Sequence, residues 1–70
     1  MSEQISVVIN GEPRQLAAGG SVLAMLEALD ITGGKVAVER NREIVPGSMH
    51  GDTIVTDGDQ IEIVHFIGGG

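Results

Sequence analysis

The sequence predicts one α+β domain, a mixed β-sheet wrapped across one face of a single helix. Two observations carry this. A β-branched hairpin pattern opens the chain, and a single amphipathic helical stretch is then followed by further strand-like segments to the end. Seventy residues enclose only one core, and a chain that is 41% hydrophobic and 20% charged is apolar enough to fold.

Ile5-Ser6-Val7-Val8-Ile9 is rich in β-branched residues and runs directly into Asn10-Gly11, the dipeptide that best tolerates the positive φ angles of a type I′ turn. The second strand of this hairpin runs through about Arg14, Gln15 and Leu16, and Gly19-Gly20 breaks the pattern. Ser21 can cap a helix over Val22 to Leu29 by accepting a hydrogen bond from a free amide of the first turn. Val22, Leu26 and Leu29, flanked by Leu23 and Met25, form its apolar stripe, and Gly33-Gly34 is the expected stop.

Lys35 to Glu39 alternates as a strand, Arg40-Asn41-Arg42 reads as a turn, and Glu43-Ile44-Val45 is a further strand ending at Pro46-Gly47. Ser48 to Thr56 carries little pattern beyond an extended reading of Thr53-Ile54-Val55. Asp57-Gly58-Asp59 makes a turn, and Gln60 to Phe66 is the last strand. This order describes the β-grasp arrangement. The expected organisation is a domain over residues 1–66, with its last strand in the middle of the sheet, and a flexible tail over residues 67–70.

With no cysteine, the chain has no thiol nucleophile, no redox pair and no thiolate metal site, so any sulfur chemistry must be borrowed from a partner. A net charge of −6 argues against binding a phosphate backbone and suits a basic protein partner, while serving solubility equally well. No signal-peptide pattern or bilayer-length apolar run is present, and a cytoplasmic protein is expected.

In the last strand Ile61 and Ile63 share one face, while Glu62, Val64 and Phe66 share the other. If the helix covers the isoleucines, Val64 and Phe66 lie open beside the chain end, either as a docking patch or as a second packing layer. Ile67-Gly68-Gly69-Gly70 follows. Three residues without Cβ can thread a narrow active-site channel. A carboxylate at their end is a poor electrophile and would need activation, most simply as a mixed anhydride with AMP. For an arbitrary chain, a disordered end is the ordinary reading of such glycines. Here they follow the final strand of a β-grasp-sized domain directly.

Three segments carry a family resemblance: Val38-Glu39-Arg40-Asn41 with Glu43-Ile44-Val45-Pro46; Asp57 through Val64; and the ending His65-Phe66-Ile67-Gly68-Gly69-Gly70. Over nearly its whole length the chain resembles the sulfur carriers of thiamine biosynthesis, within the ubiquitin-like β-grasp group. The resemblance implies that a ThiF-like adenylating enzyme uses ATP and Mg²⁺ to convert the Gly70 carboxylate to an acyl adenylate. A sulfur donor such as a cysteine desulfurase then supplies a persulfide, and the resulting thiocarboxylate delivers sulfur to a ThiG-like thiazole synthase. It assigns the reacting end to Gly70, the tail to Gly68 and Gly69, and partner binding to Val64, Phe66 and Ile67. The chain itself would bind no cofactor and act as a regenerated substrate, not as a catalyst.

Terminal glycines alone do not separate this role from sulfur delivery to molybdopterin synthesis, from a modifier that forms isopeptide bonds to lysines, or from a passive binding module. Gly33-Gly34-Lys35 lacks the upstream glycine and the Ser or Thr of a phosphate loop. Asp57, Asp59 and Glu62 lack calcium-loop spacing and read as solvated acids of a turn, and His50 and His65 read as surface or strand residues without metal-ligand spacing.

Overall fold

The computed structural model describes residues 3–31 and 33–66. Strands β1 (Gln4–Ile9) and β2 (Glu12–Ala17) form the opening hairpin, followed by helix α1 (Val22–Ala28), strands β3 (Lys35–Arg40) and β4 (Glu43–Val45), a short 3-10 turn at Gly47–Met49, and β5 (Gln60–Phe66). The strands form one five-stranded sheet in the order β2-β1-β5-β3-β4. Its central pair, β1 and β5, is parallel, and every other pair is antiparallel. The β-grasp expectation holds, with the last strand in the middle. Among the described residues no helix is long and apolar enough to cross a membrane.

Both tight hairpins use two residues of positive φ. Asn10 (φ 51) and Gly11 (φ 82) follow the sequence signal, whereas Asn41 (φ 53) and Arg42 (φ 70) make the same kind of turn without glycine. Ser21 caps α1 as expected, accepting from the Ala24 amide at 3.0 Å.

The helix ends earlier than expected, at Ala28 and not at Leu29, and the stop is not Gly33-Gly34. Asp30, at φ 61, takes the left-handed position that glycine usually fills. The Asp30 and Ile31 amides bond back to the Glu27 and Leu26 carbonyls, the pattern of a Schellman cap.

The helix covers one face of the sheet. Val22, Met25 and Leu26 meet Val7 and Ile9 of β1, Val38 of β3, Val45 of β4, Val55, and Ile61 and Ile63 of β5 in one buried cluster. Met25 is thus central to the stripe and not a flank, while Leu23 is exposed. Each such side chain contributes roughly 1.5–3 kcal/mol when fully buried.

The stretch before β5 is held by tertiary bonds. The Val22 and Leu23 amides bond to the Thr53 and His50 carbonyls, and Ile54 makes an isolated bridge to Ser21 in place of a continuous extended segment. His50 is buried, not a surface residue, with its ring Nε2 3.1 Å from the Val45 carbonyl oxygen.

Candidate functional site

The site is built around β5, which leads into the C-terminal glycines. Two devices fix this strand. At its start, Asp59 is only 4% exposed, not solvated as its turn position implied. Its carboxylate accepts from Arg40 Nε at 2.7 Å, Asn41 Nδ2 at 2.9 Å, the Thr56 amide at 2.8 Å and the Thr56 hydroxyl at 3.1 Å. Burial pushes this carboxyl up, but the Thr56 amide, Arg40, Asn41 and the Thr56 hydroxyl together outweigh it and hold the pKa at about 2. Asn41 also pairs with Gln60 by its backbone amide and its side-chain oxygen. On the β1 side, the Ser6 amide donates to Asp57 Oδ1 at 2.8 Å, and the Gly58 amide donates to the Ser6 carbonyl.

The second device lies farther along. Asn10 Oδ1 accepts from the Ile63 amide at 2.8 Å, and Asn10 Nδ2 donates to the Ile63 carbonyl at 3.1 Å. As far as Ile63, β5 is therefore tied on both sides, and from Val64 to Phe66 it is tied to β3.

The open face of β5 carries the predicted patch. Val64 is 52% and Phe66 56% exposed, whereas Ile61 and Ile63 are buried under the helix. Val64 pairs with Ala37 and Phe66 with Lys35 of β3. One step back, Glu62 and Glu39 stand directly opposite each other. Glu39 in turn pairs with Ile44 of β4, which is 67% exposed. Sequence reasoning missed Ile44 as part of this face. Its alternation with buried Val45 was the available signal.

Ile67, Gly68, Gly69 and Gly70, the remaining predicted site residues, lie outside the described residues. Among the described residues no group of His, Asp and Glu is arranged to hold a metal, and every buried side-chain nitrogen or oxygen has a partner. The body offers a support and a surface, and its buried titratable groups, Asp59 and His50, are bonded internally.

A family model described as the ThiS family matches residues 7–70. The chain belongs to the ThiS family. It is 38% identical to the sulfur carrier protein ThiS of Escherichia coli, over 94% of this chain and 100% of that protein. The crystal structure of the thiamine biosynthesis protein ThiS from Geobacter metallireducens superposes with a TM-score of 0.79 at 33% identity, covering 94% of this chain and 100% of that one. A thiazole synthase of Paramagnetospirillum magneticum is 53% identical over 94% of this chain, which spans only 20% of that longer protein. The family match runs through all the glycines at residues 68–70, so the likeness covers the tail as well as the sheet.

Proposed function

We propose that the chain is a sulfur carrier for thiazole synthesis in thiamine biosynthesis, with the carboxylate of Gly70 as its reacting group. The observation that carries this reading is the ThiS family match through Gly70, on a chain whose central strand leads directly into the glycines. In the first step a Gly70 carboxylate oxygen attacks the α-phosphorus of ATP on a ThiF-like adenylating enzyme. Pyrophosphate leaves, and Mg²⁺ on that enzyme offsets the phosphate charge. The terminal sulfur of a partner persulfide, charged by a donor such as a cysteine desulfurase, then attacks the acyl carbon and AMP leaves. A second thiol breaks the resulting sulfur–sulfur bond, taking the partner sulfur into a disulfide and releasing the Gly70 thiocarboxylate. Its sulfur is a far better nucleophile than the oxygen it replaced.

The acceptor is a ThiG-like thiazole synthase. A thiazole synthase that contains a closely similar sequence within one longer chain supports this pairing, because joining carrier to acceptor raises their effective concentration. The chain contributes no catalytic group and binds no cofactor: it is a tethered substrate. Val64 and Phe66, with Ile67 beyond them, form the docking patch, and Gly68 and Gly69 supply reach.

Intact-mass spectrometry after incubation with the adenylating enzyme, ATP, Mg²⁺ and the sulfur donor should show one oxygen exchanged for sulfur at Gly70. An unchanged mass beside a competent control carrier rejects the reading. Capture by a molybdopterin synthase large subunit in preference to thiazole synthase redirects it.

A further inference from the structure

The turn before β3 and the end of β5 are locked together. Gly34 has φ +67, and a Cβ built on it would overlap the Phe66 carbonyl oxygen. Only glycine lets this backbone lie against the last described peptide of β5. Beside it, the His65 ring Nε2 is 2.8 Å from the Gly33 carbonyl oxygen. The carbonyl can only accept, so Nε2 carries the proton. On the opposite edge β1 has already turned away, and Asn10 makes its last contact at Ile63. From Val64 to Phe66 the register is with β3.

We propose that Gly34 and His65 form a latch that fixes the end of β5, and with it the place and direction from which the C-terminal glycines are presented to the adenylating enzyme. His65 is then a positioning residue. This rests on the reading of Gly70 as the reacting carboxylate. The latch acts on delivery and not on docking, because His65 alternates away from the open face that carries Val64 and Phe66. Loss of the imidazole should leave the docking patch intact while widening the range of directions open to the chain end. Reaction depends steeply on such alignment. Glutamine places an N–H at a reach close to that of Nε2 and should restore the bond.

The test uses the full chain with His65→Ala, His65→Gln and Gly34→Ala, and three readouts: pyrophosphate release by the adenylating enzyme, the amide order parameter of Phe66, and thermal unfolding. His65→Ala should lower kcat about fivefold, the worth of one hydrogen bond, with KM within about twofold of the parent. It should also lower Phe66 order, and His65→Gln should restore both. Gly34→Ala should move kcat and Phe66 order the same way. If that variant does not fold, the His65 pair decides. Parental kcat and Phe66 order in His65→Ala overturn the latch, as does a rise in KM at constant kcat. If the parent chain itself is not adenylated, the Gly70 reading fails, and the Phe66 order parameter alone then decides whether the latch exists.

Discussion

The carboxamide of Asn10 holds both the amide and the carbonyl of Ile63, at 2.8 and 3.1 Å, so a side chain extends the β1–β5 pairing after the β1 backbone has turned. Asn10 also occupies the left-handed region, at φ 51. Asn10→Gly separates the two roles, because glycine accepts the turn and deletes the clamp. It should destabilise the fold by about 2 kcal/mol, two part-buried hydrogen bonds at about 1 kcal/mol each. Urea unfolding reads the loss, and hydrogen exchange should quicken at Ile63. A neutral effect would mean that water replaces the carboxamide.

Asp59 makes stability depend on pH in a defined window. Its carboxyl falls from 3.8 to about 2 on folding, so the folded state favours the ionised form. Its contribution is complete above the unfolded value and is lost as pH falls from 3.8 through about 2. The shift corresponds to about 2 kcal/mol. Asp59→Asn should therefore cost stability near neutral pH, where Arg40 and the Thr56 amide lose their anion, and should flatten the acid limb of the unfolding curve. Parallel acid limbs for parent and variant would show that other carboxylates control that range.

How far the sequence could be read depended on the range over which each element is determined. The hairpin at Asn10-Gly11, the Ser21 cap and the alternation of Gln60 to Phe66 are local, and each appears where its residues indicated. Asp59 was misread as solvated because its partners Arg40, the last residue of β3 and not a turn residue as expected, and Asn41 of the turn that follows stand 19 and 18 residues away. The helix stop was misplaced because Asp30, a poor signal for a left-handed residue, does the work expected of glycine. The stretch from Ser48 to Thr56 has no period to read, since bonds to the start of α1 hold it. Val64 and Phe66 were legible as a pair, but Ile44 joins their face only once β4 is placed at the sheet edge.

Two turns retain local strain that substitution can relieve. Asp30 and Arg42 hold φ angles of 61 and 70, where an L side chain costs roughly 1–2 kcal/mol. Asp30 also places a negative charge at the negative end of the helix dipole. Asp30→Gly and Arg42→Gly should each stabilise the fold by about 0.5–1 kcal/mol after the entropy of glycine in the unfolded chain is deducted. Both should raise the thermal midpoint, and the gains should add because the sites lie in separate turns. A fall in either variant would show that the side chain makes a contact worth more than the strain.

Glu39 and Glu62 face each other across β3 and β5, a like-charge pair that opposes sheet stability. Glu62→Gln should stabilise the isolated chain by about 0.5 kcal/mol, with the largest gain at low salt. The same change removes a negative charge beside Val64, so it should slow association with a basic partner surface and weaken the salt dependence of that association. Stopped-flow binding to the adenylating enzyme at two ionic strengths measures both. Faster association in the variant would mean that the pair repels its partner and that the acidic face serves only solubility.

The proposed docking patch lies apart from the buried core. Val64 and Phe66 are more than half exposed, at 52% and 56%, so shortening either leaves the core under the helix unchanged. Phe66→Ala should therefore shift stability by no more than about 0.5 kcal/mol, and Val64→Asp, which adds an acid beside Glu62 in a central strand, should cost about 1 kcal/mol. At an interface, truncating a buried aromatic or placing a charge in an apolar centre costs on the order of 2 kcal/mol or more, so each variant should raise the KM for adenylation about thirtyfold. Because the Gly70 carboxylate is untouched, kcat at saturation should stay near the parental value. His65→Ala should have the reverse signature, kcat falling at constant KM, so the two sets of variants would assign opposite faces of β5 to opposite steps. If Val64→Asp and Phe66→Ala lowered kcat and left KM unchanged, the open face would belong to alignment of the chain end, and docking would have to be sought on the helix side.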